Sequence, residues 1–120
     1  MGLFDWLFGR GAPSITPQEA HALLSADGDS HLLLDVRQPP ETASGAAPGA
    51  VLIPLTQLGK RLDELPRDRP ILAICASGHR SPLAARRLKR AGFDVRNVRG
   101  GMQAWRAAGL PVEGRGTGNK

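Results

Sequence analysis

Apolar residues in this chain fall in short runs separated by turn residues. His31 to Val36, with Leu32-Leu33-Leu34 at its centre, and Ile71-Leu72-Ala73-Ile74 read as buried strands, Val51-Leu52-Ile53 as a short strand, and Phe93 to Val98 as a fourth strand. Short apolar runs bounded by turn signals suit strands that are covered on both faces. Helical patterns lie between them. Thr16 as N-cap, Pro17 at the first helical position and Glu19 at the third predict a helix to about Ser25. Apolar residues at positions 55, 58, 62 and 65 predict another over Thr56–Leu65, despite Gly59. Ser81-Pro82 reads as an N-cap and first position, opening a helix to about Ala91 with Gly92 just past its end. Met102 to Ala108 predicts a last helix, closed by Gly109.

The remaining stretches read as connections. Arg37 to Gly49 holds three Pro and two Gly, a loop composition. Asp27-Gly28-Asp29, Pro66 to Pro70 and Gly100-Gly101 are turns, and Gly9 to Ser14 is a linker. Strands and helices alternate with short connections. This predicts an α/β fold: a mostly parallel central sheet flanked by helices on both faces. The domain should span residues 14–112. Residues 1–13 form an apolar segment and linker ahead of it. Residues 113–120, with three Gly and no apolar side chain, form a disordered tail.

Composition narrows the function. A chain of 120 residues is one domain by the usual prior. Three Phe, two Trp and no Tyr argue against a stacking platform for single-stranded nucleic acid. The net charge is +5, but the basic residues are scattered except for Arg86-Arg87-Leu88-Lys89-Arg90. That run reads as the solvated face of a helix. With no recognition motif beside it, no nucleic-acid partner is expected. One cysteine excludes an internal disulfide, a Cys-based zinc cluster and an internal resolving thiol.

No stretch approaches the roughly 18 apolar residues of a membrane span. The first ten residues lack a basic residue ahead of their apolar stretch, and Asp5 interrupts it, so no secretory signal is read and a cytoplasmic location is the default expectation. Leu3, Phe4, Trp6, Leu7 and Phe8 either fold back on the domain or offer a peripheral membrane or protein contact through residues 3–8.

The chemistry concentrates in Ile74-Cys75-Ala76-Ser77-Gly78-His79-Arg80-Ser81-Pro82. A buried strand delivers Cys75 to the carboxyl edge of the sheet, where α/β folds bind ligands. A tight loop follows and a helix begins. Backbone N–H groups of such a loop converge and favour negative charge. Together with Arg80 they should lower the thiol pKa and make Cys75 a reactive nucleophile. Gly78 supplies a positive φ for the turn. Ser77 is loop filler or a hydroxyl donor, and His79 is a solvent-facing residue or a general acid or base. Ser81 is first of all a helix cap, and Arg80 an anion binder. Ala76, Ser77, Gly78, His79, Arg80 and Ser81 are therefore the candidate substrate-binding residues around Cys75. Asp35, Arg37 and Glu41 read as an internal ion pair with strand-end hydrogen bonds, a supporting role.

Over roughly Ser14 to Val112 the sequence resembles the rhodanese family of sulfurtransferases in single-domain form. The resemblance rests on Cys75-Ala76-Ser77-Gly78-His79-Arg80-Ser81, on Asp35-Val36-Arg37 with Glu41, on Pro48-Gly49-Ala50 followed by Ile53-Pro54, and on Val98-Arg99-Gly100-Gly101 leading to Trp105 and Gly109-Leu110-Pro111-Val112. Gly45-Ala46-Ala47 stands where the family usually has Gly-His-Ile, and Thr42 replaces an aromatic. Gly100, Gly101 and Trp105 read as turn and core. The resemblance implies a ping-pong reaction. A small anionic donor such as thiosulfate passes its outer sulfur to Cys75 as a persulfide. A thiol, a protein or cyanide then accepts it, with no metal and no organic cofactor. Two other readings stay open. One is a Cys-dependent phosphatase or arsenate reductase on the same fold, which carries one residue more between Cys and Arg. The other is a non-catalytic rhodanese-like interaction module.

Overall fold

The computed structural model describes residues 12–26 and 29–114. Five strands form one sheet, β1 (Ser14–Ile15), β2 (Leu32–Asp35), β3 (Val51–Leu52), β4 (Ile71–Ile74) and β5 (Val95–Val98), in the order β1-β5-β4-β2-β3. Every pairing is parallel. Four α-helices, α1 (Pro17–Ala26), α2 (Leu55–Leu58), α3 (Ser81–Arg90) and α4 (Gly101–Ala107), and two short 3-10 helices complete the described fold.

Alternation along the strands explains the layers, because successive side chains point to opposite faces. Ile71, Ala73 and Cys75 turn to one face with Leu34 and Val36, and pack beneath Leu58 of α2 and Ala84, Ala85 and Leu88 of α3. Leu72 and Ile74 turn to the other face with Leu33 and Val98, against Ala20 of α1 and Met102 and Trp105 of α4. The expected parallel sheet with helices on both faces is the observed fold. Cys75 follows the last residue of β4, at the carboxyl edge and on the α3 face.

The start of α1 forms as its pattern predicts. The Glu19 N–H donates to Thr16 Oγ1 at 3.0 Å, and the Thr16 N–H to Glu19 Oε1 at 2.8 Å. This reciprocal box satisfies donors that the first helical turn leaves free.

Elsewhere the expectations need correction. The linker ends in β1, whose Ser14 and Ile15 pair with Asn97 and Val98. A two-residue strand carries too short an apolar pattern to be read. The loop from Arg37 to Gly49 contains a 3-10 helix, Pro39–Ser44. Pro39 and Pro40 suit its start, where N–H groups have no partner in any case. The helix expected over Thr56–Leu65 stops after α2. Beyond Gly59 the Lys60 and Arg61 amides bond three residues back, and a short 3-10 turn, Leu62–Glu64, follows. Ser81 is the first residue of α3 rather than its cap, which is Arg80. The expected tail begins at Glu113, yet Glu113 and Ala46 exchange two backbone hydrogen bonds of 2.9 Å. Ala46 and Ala47 are buried beside this contact, so small side chains stand where the chain closes on itself.

The expected contact through residues 3–8, most of the linker, and the tail beyond Gly114 lie outside the described residues. Among the described residues no helix is long and apolar enough to cross a membrane.

Candidate active site

Cys75 is buried, with its Sγ at the centre of the loop that joins β4 to α3. The Gly78 N–H donates to Sγ at 3.2 Å. The thiol lies 3.4 Å from Ser81 Oγ and donates to it. Gly78 has φ 92, the left-handed region, which turns its amide inward. Burial pushes the thiol pKa up. The Ser81 hydroxyl and the amides of Ser81, Arg80 and Gly78 outweigh that and hold it below its ordinary value.

The loop keeps this shape because α4 is built against it. The amide of Met102 donates to the Cys75 carbonyl at 2.7 Å, and that of Gln103 to the Ala76 carbonyl at 2.9 Å. Both carbonyls are thereby turned away from the sulfur. The approach requires glycine: a Cβ on Gly101 would lie 2.5 Å from the Cys75 carbonyl oxygen, and one on Gly78 would lie 3.0 Å from the Gly100 nitrogen. Gly100 and Gly101, read from the sequence as a turn, are therefore the buttress of the loop.

The predicted loop residues separate into three groups. Gly78, Arg80 and Ser81 act on the sulfur. Ala76 uses its carbonyl on α4. Exposed His79 accepts or donates through Nδ1 to Ser77 Oγ at 2.7 Å, so these two residues pair with each other.

Arg80 does not extend its guanidinium freely into the site. It forks onto Glu41, Nη1 to Oε2 at 2.7 Å and Nη2 to Oε1 at 2.6 Å. That fork, opposed by burial, brings the Glu41 carboxyl down to about 2. Glu41 was expected to belong with Asp35 and Arg37, and this is corrected: its carboxylate serves Arg80. The Asp35–Arg37 pair itself is present. Arg37 Nη2 donates to Asp35 Oδ2 at 2.7 Å, and Nε donates to Oδ1 at 3.0 Å. The same guanidinium donates to the carbonyls of Glu41 at 3.1 Å and Gly45 at 3.0 Å. Arg37 thus ties the Glu41 loop to the end of β2, and Glu41 aims Arg80.

One residue escaped the sequence reading. Asn97 of β5 is buried, and its Oδ1 accepts from Ser81 Oγ. Asp94 and Arg96 make the same strand polar in sequence, so nothing singled Asn97 out.

A thiol held by loop amides at the carboxyl edge of a parallel sheet, with an Arg–carboxylate fork at the mouth, defines a class of Cys-loop α/β domains. The rhodanese-like domain model matches residues 16–108, and the chain belongs to that family. A sulfurtransferase of Allochromatium vinosum is 41% identical over 88 residues, covering 72% of this chain and 82% of the relative. The putative sulfur carrier protein YrkF of Bacillus subtilis is 46% identical over 81 residues, 66% of this chain but 44% of its own length. The chain thus spans less than half of that longer relative. The crystal structure of a rhodanese-related protein from Thermoplasma volcanium superposes with a TM-score of 0.75 at 34% identity, covering 84% of this chain and 97% of that one.

Proposed function

We propose that this domain is a sulfurtransferase in which Cys75 carries a sulfane sulfur between an anionic donor and a thiophilic acceptor. The observation that carries the reading is the thiol ringed by the Gly78, Arg80 and Ser81 amides, its pKa lowered in spite of burial. In the first half-reaction the Cys75 thiolate attacks the outer sulfur of thiosulfate. A sulfur–sulfur bond forms, the donor's own sulfur–sulfur bond breaks, and sulfite leaves with the electron pair. In the second, cyanide, a thiol or a protein thiol attacks the outer sulfur of the persulfide. The Cys75 thiolate leaves with the electron pair and is regenerated.

Dipoles fixed around the sulfur stabilise thiolate and persulfide alike and need no reorganisation between steps. Because Cys75 is buried, a persulfide has a geometric advantage as carrier: its outer sulfur stands about 2.05 Å further out along the new bond. The relatives named as sulfurtransferases and as a putative sulfur carrier support this class of reaction. The compact loop also weighs against phosphoryl transfer. It has four residues between Cys75 and Arg80, one fewer than the phosphatase and arsenate reductase loops carry, so its amides frame a narrower cradle.

Intact-mass analysis after incubation with thiosulfate should show one added sulfur, removed by reductant. Cys75→Ser should remain folded, gain no sulfur and lose thiosulfate-to-cyanide transfer, because no base is arranged to activate a hydroxyl there. Full transfer by the Ser variant would overturn the mechanism. Cys75-dependent hydrolysis of aryl phosphates would favour the phosphatase reading instead.

A further inference from the structure

A single file of polar groups runs from the thiol to the surface. The Cys75 thiol donates to Ser81 Oγ, Ser81 donates to Asn97 Oδ1, and Asn97 Nδ2 donates to Ser14 Oγ at 3.3 Å. Ser81 and Asn97 are 0% and 7% exposed, whereas Ser14 at the far end is exposed. Parallel pairing of β1 with β5 sets Ser14 opposite Asn97, so the short first strand completes the chain. Buried polar groups are costly unless bonded, and here each has a partner of its own.

The direction of these bonds suits a protonated thiol. A serine hydroxyl has one proton. While Ser81 gives it to Asn97, Ser81 can only accept from the thiol. A thiolate accepts only, so it needs the Ser81 proton, and Asn97 Oδ1 would then lose its donor. An amide resolves the conflict. Its oxygen and nitrogen occupy nearly the same volume, and a half-turn brings Nδ2 onto Ser81 Oγ and Oδ1 onto the Ser14 hydroxyl. Every group is satisfied in both states, with the chain reversed.

We infer that Asn97 is a positioning residue for the nucleophile: its amide turns to hand the Ser81 hydroxyl to Cys75 when the thiol ionises. The inference rests on Cys75 being the nucleophile, but its readout is ionisation rather than turnover, so it is tested even where sulfur transfer fails. The charged and titratable groups around the thiol are Arg80 with its partner Glu41, the Asp35–Arg37 pair at the end of β2, and His79 in the loop. A neutral substitution at Asn97 alters none of these charges.

Two measurements test it. In the unmodified protein, the Asn97 side-chain amide signals in nitrogen-15 NMR should titrate with the midpoint found for iodoacetamide alkylation of Cys75. They should not do so in Cys75→Ser. Signals that stay fixed across the thiol titration would overturn the inference.

The second is a cycle of Asn97→Leu, Ser81→Ala and the double variant, read as the pH profile of alkylation. The thiol is a weak donor and loses little in Asn97→Leu. The thiolate loses more, because Ser81 donates less strongly once nothing donates to its own oxygen. The thiolate fraction below the midpoint should fall about threefold, corresponding to roughly half a pKa unit. In the Ser81→Ala background the same substitution should change it by less than about 1.5-fold. An Asn97→Leu shift that persists undiminished without Ser81, or that is absent with it, would show that Asn97 does not act through the hydroxyl.

Discussion

Two arginine–carboxylate pairs stand a few residues apart in this domain and do different work. Asp35–Arg37 closes within one strand end, with side chains 1% and 4% exposed. Glu41–Arg80 joins residues 39 apart in sequence, with side chains 34% and 35% exposed. Both forks have the bidentate geometry that arginine favours. Their surroundings set them apart. The buried pair also spends Arg37 on the carbonyls of Glu41 and Gly45, so it organises a loop from within the core. The half-exposed pair stands at the mouth of the Cys75 loop, where Arg80 is close enough to interact with the thiolate charge. Burial turns one fork into architecture; the other remains site electrostatics.

The strongest way to break this contrast is to remove Arg37. Arg37→Met orphans the Asp35 carboxylate in the core and frees two carbonyls. Breaking a buried pair from one side costs about 3–5 kcal/mol. At roughly 4–8 °C per kcal/mol for a domain of this size, the melting temperature should drop by more than about 10 °C. The double variant Asp35→Leu/Arg37→Met leaves no orphan charge and should recover part of the loss, but not all, because the two carbonyls still lack their donor. Thermal unfolding of the three proteins decides it. A single variant as stable as the parent would mean that the pair carries no structural load.

Substitution at the mouth should move kinetics more than stability. Arg80→Ala removes the cation nearest the thiolate. It should raise the thiosulfate KM and shift alkylation of Cys75 to higher pH. Glu41→Gln keeps the shape but removes the charge that offsets Arg80. Its stability should change by no more than about 1 kcal/mol. Its thiosulfate KM should fall a few-fold, with a steeper dependence on ionic strength, since the freed cation attracts the anion. A KM that rises in Glu41→Gln would show that aiming Arg80 matters more than its net charge.

What was legible in the sequence follows the same divide between local and distant contacts. The runs around Leu33 and Leu72 read as strands because each is a short apolar block between turns. The Cys75 loop read as a site because strand, glycine, arginine and helix start adjoin in sequence. Asp35 and Arg37 are neighbours on one strand end, so their pairing was within reach. Glu41 was misplaced because its partner lies far along the chain, and proximity in sequence favoured Arg37. Ser81 looked like a cap because Ser-Pro so often opens a helix. Only the fold shows Arg80 taking that position and the Ser81 hydroxyl turning inward to Asn97. Gly100-Gly101 announced a turn, but a buttress is visible only once α4 is seen against the Cys75 carbonyl. The misses at Glu41, Asn97 and Gly101 depend on which distant segments meet.

The smallest expected effect concerns acid. The Glu41 carboxyl lies near 2 in the folded protein, against 4.5 for an ordinary glutamate. A depressed folded pKa means that the unfolded chain takes up its proton first as pH falls. The pair's contribution is therefore complete above about 4.5 and is lost progressively as pH drops toward 2. Both side chains are about a third exposed, so solvent screens the pair and the amount at stake is under about 1 kcal/mol. The measurement is the stability difference between the parent and Glu41→Gln by urea unfolding across that window. The difference should be small and constant at neutral pH and should fade between the two pKa values. High salt should reduce it throughout, since the pair is reached by counterions. The buried Asp35–Arg37 pair, compared through its own double variant, should be far less sensitive to salt. Equal salt sensitivity of the two pairs would remove the distinction between architecture and site electrostatics.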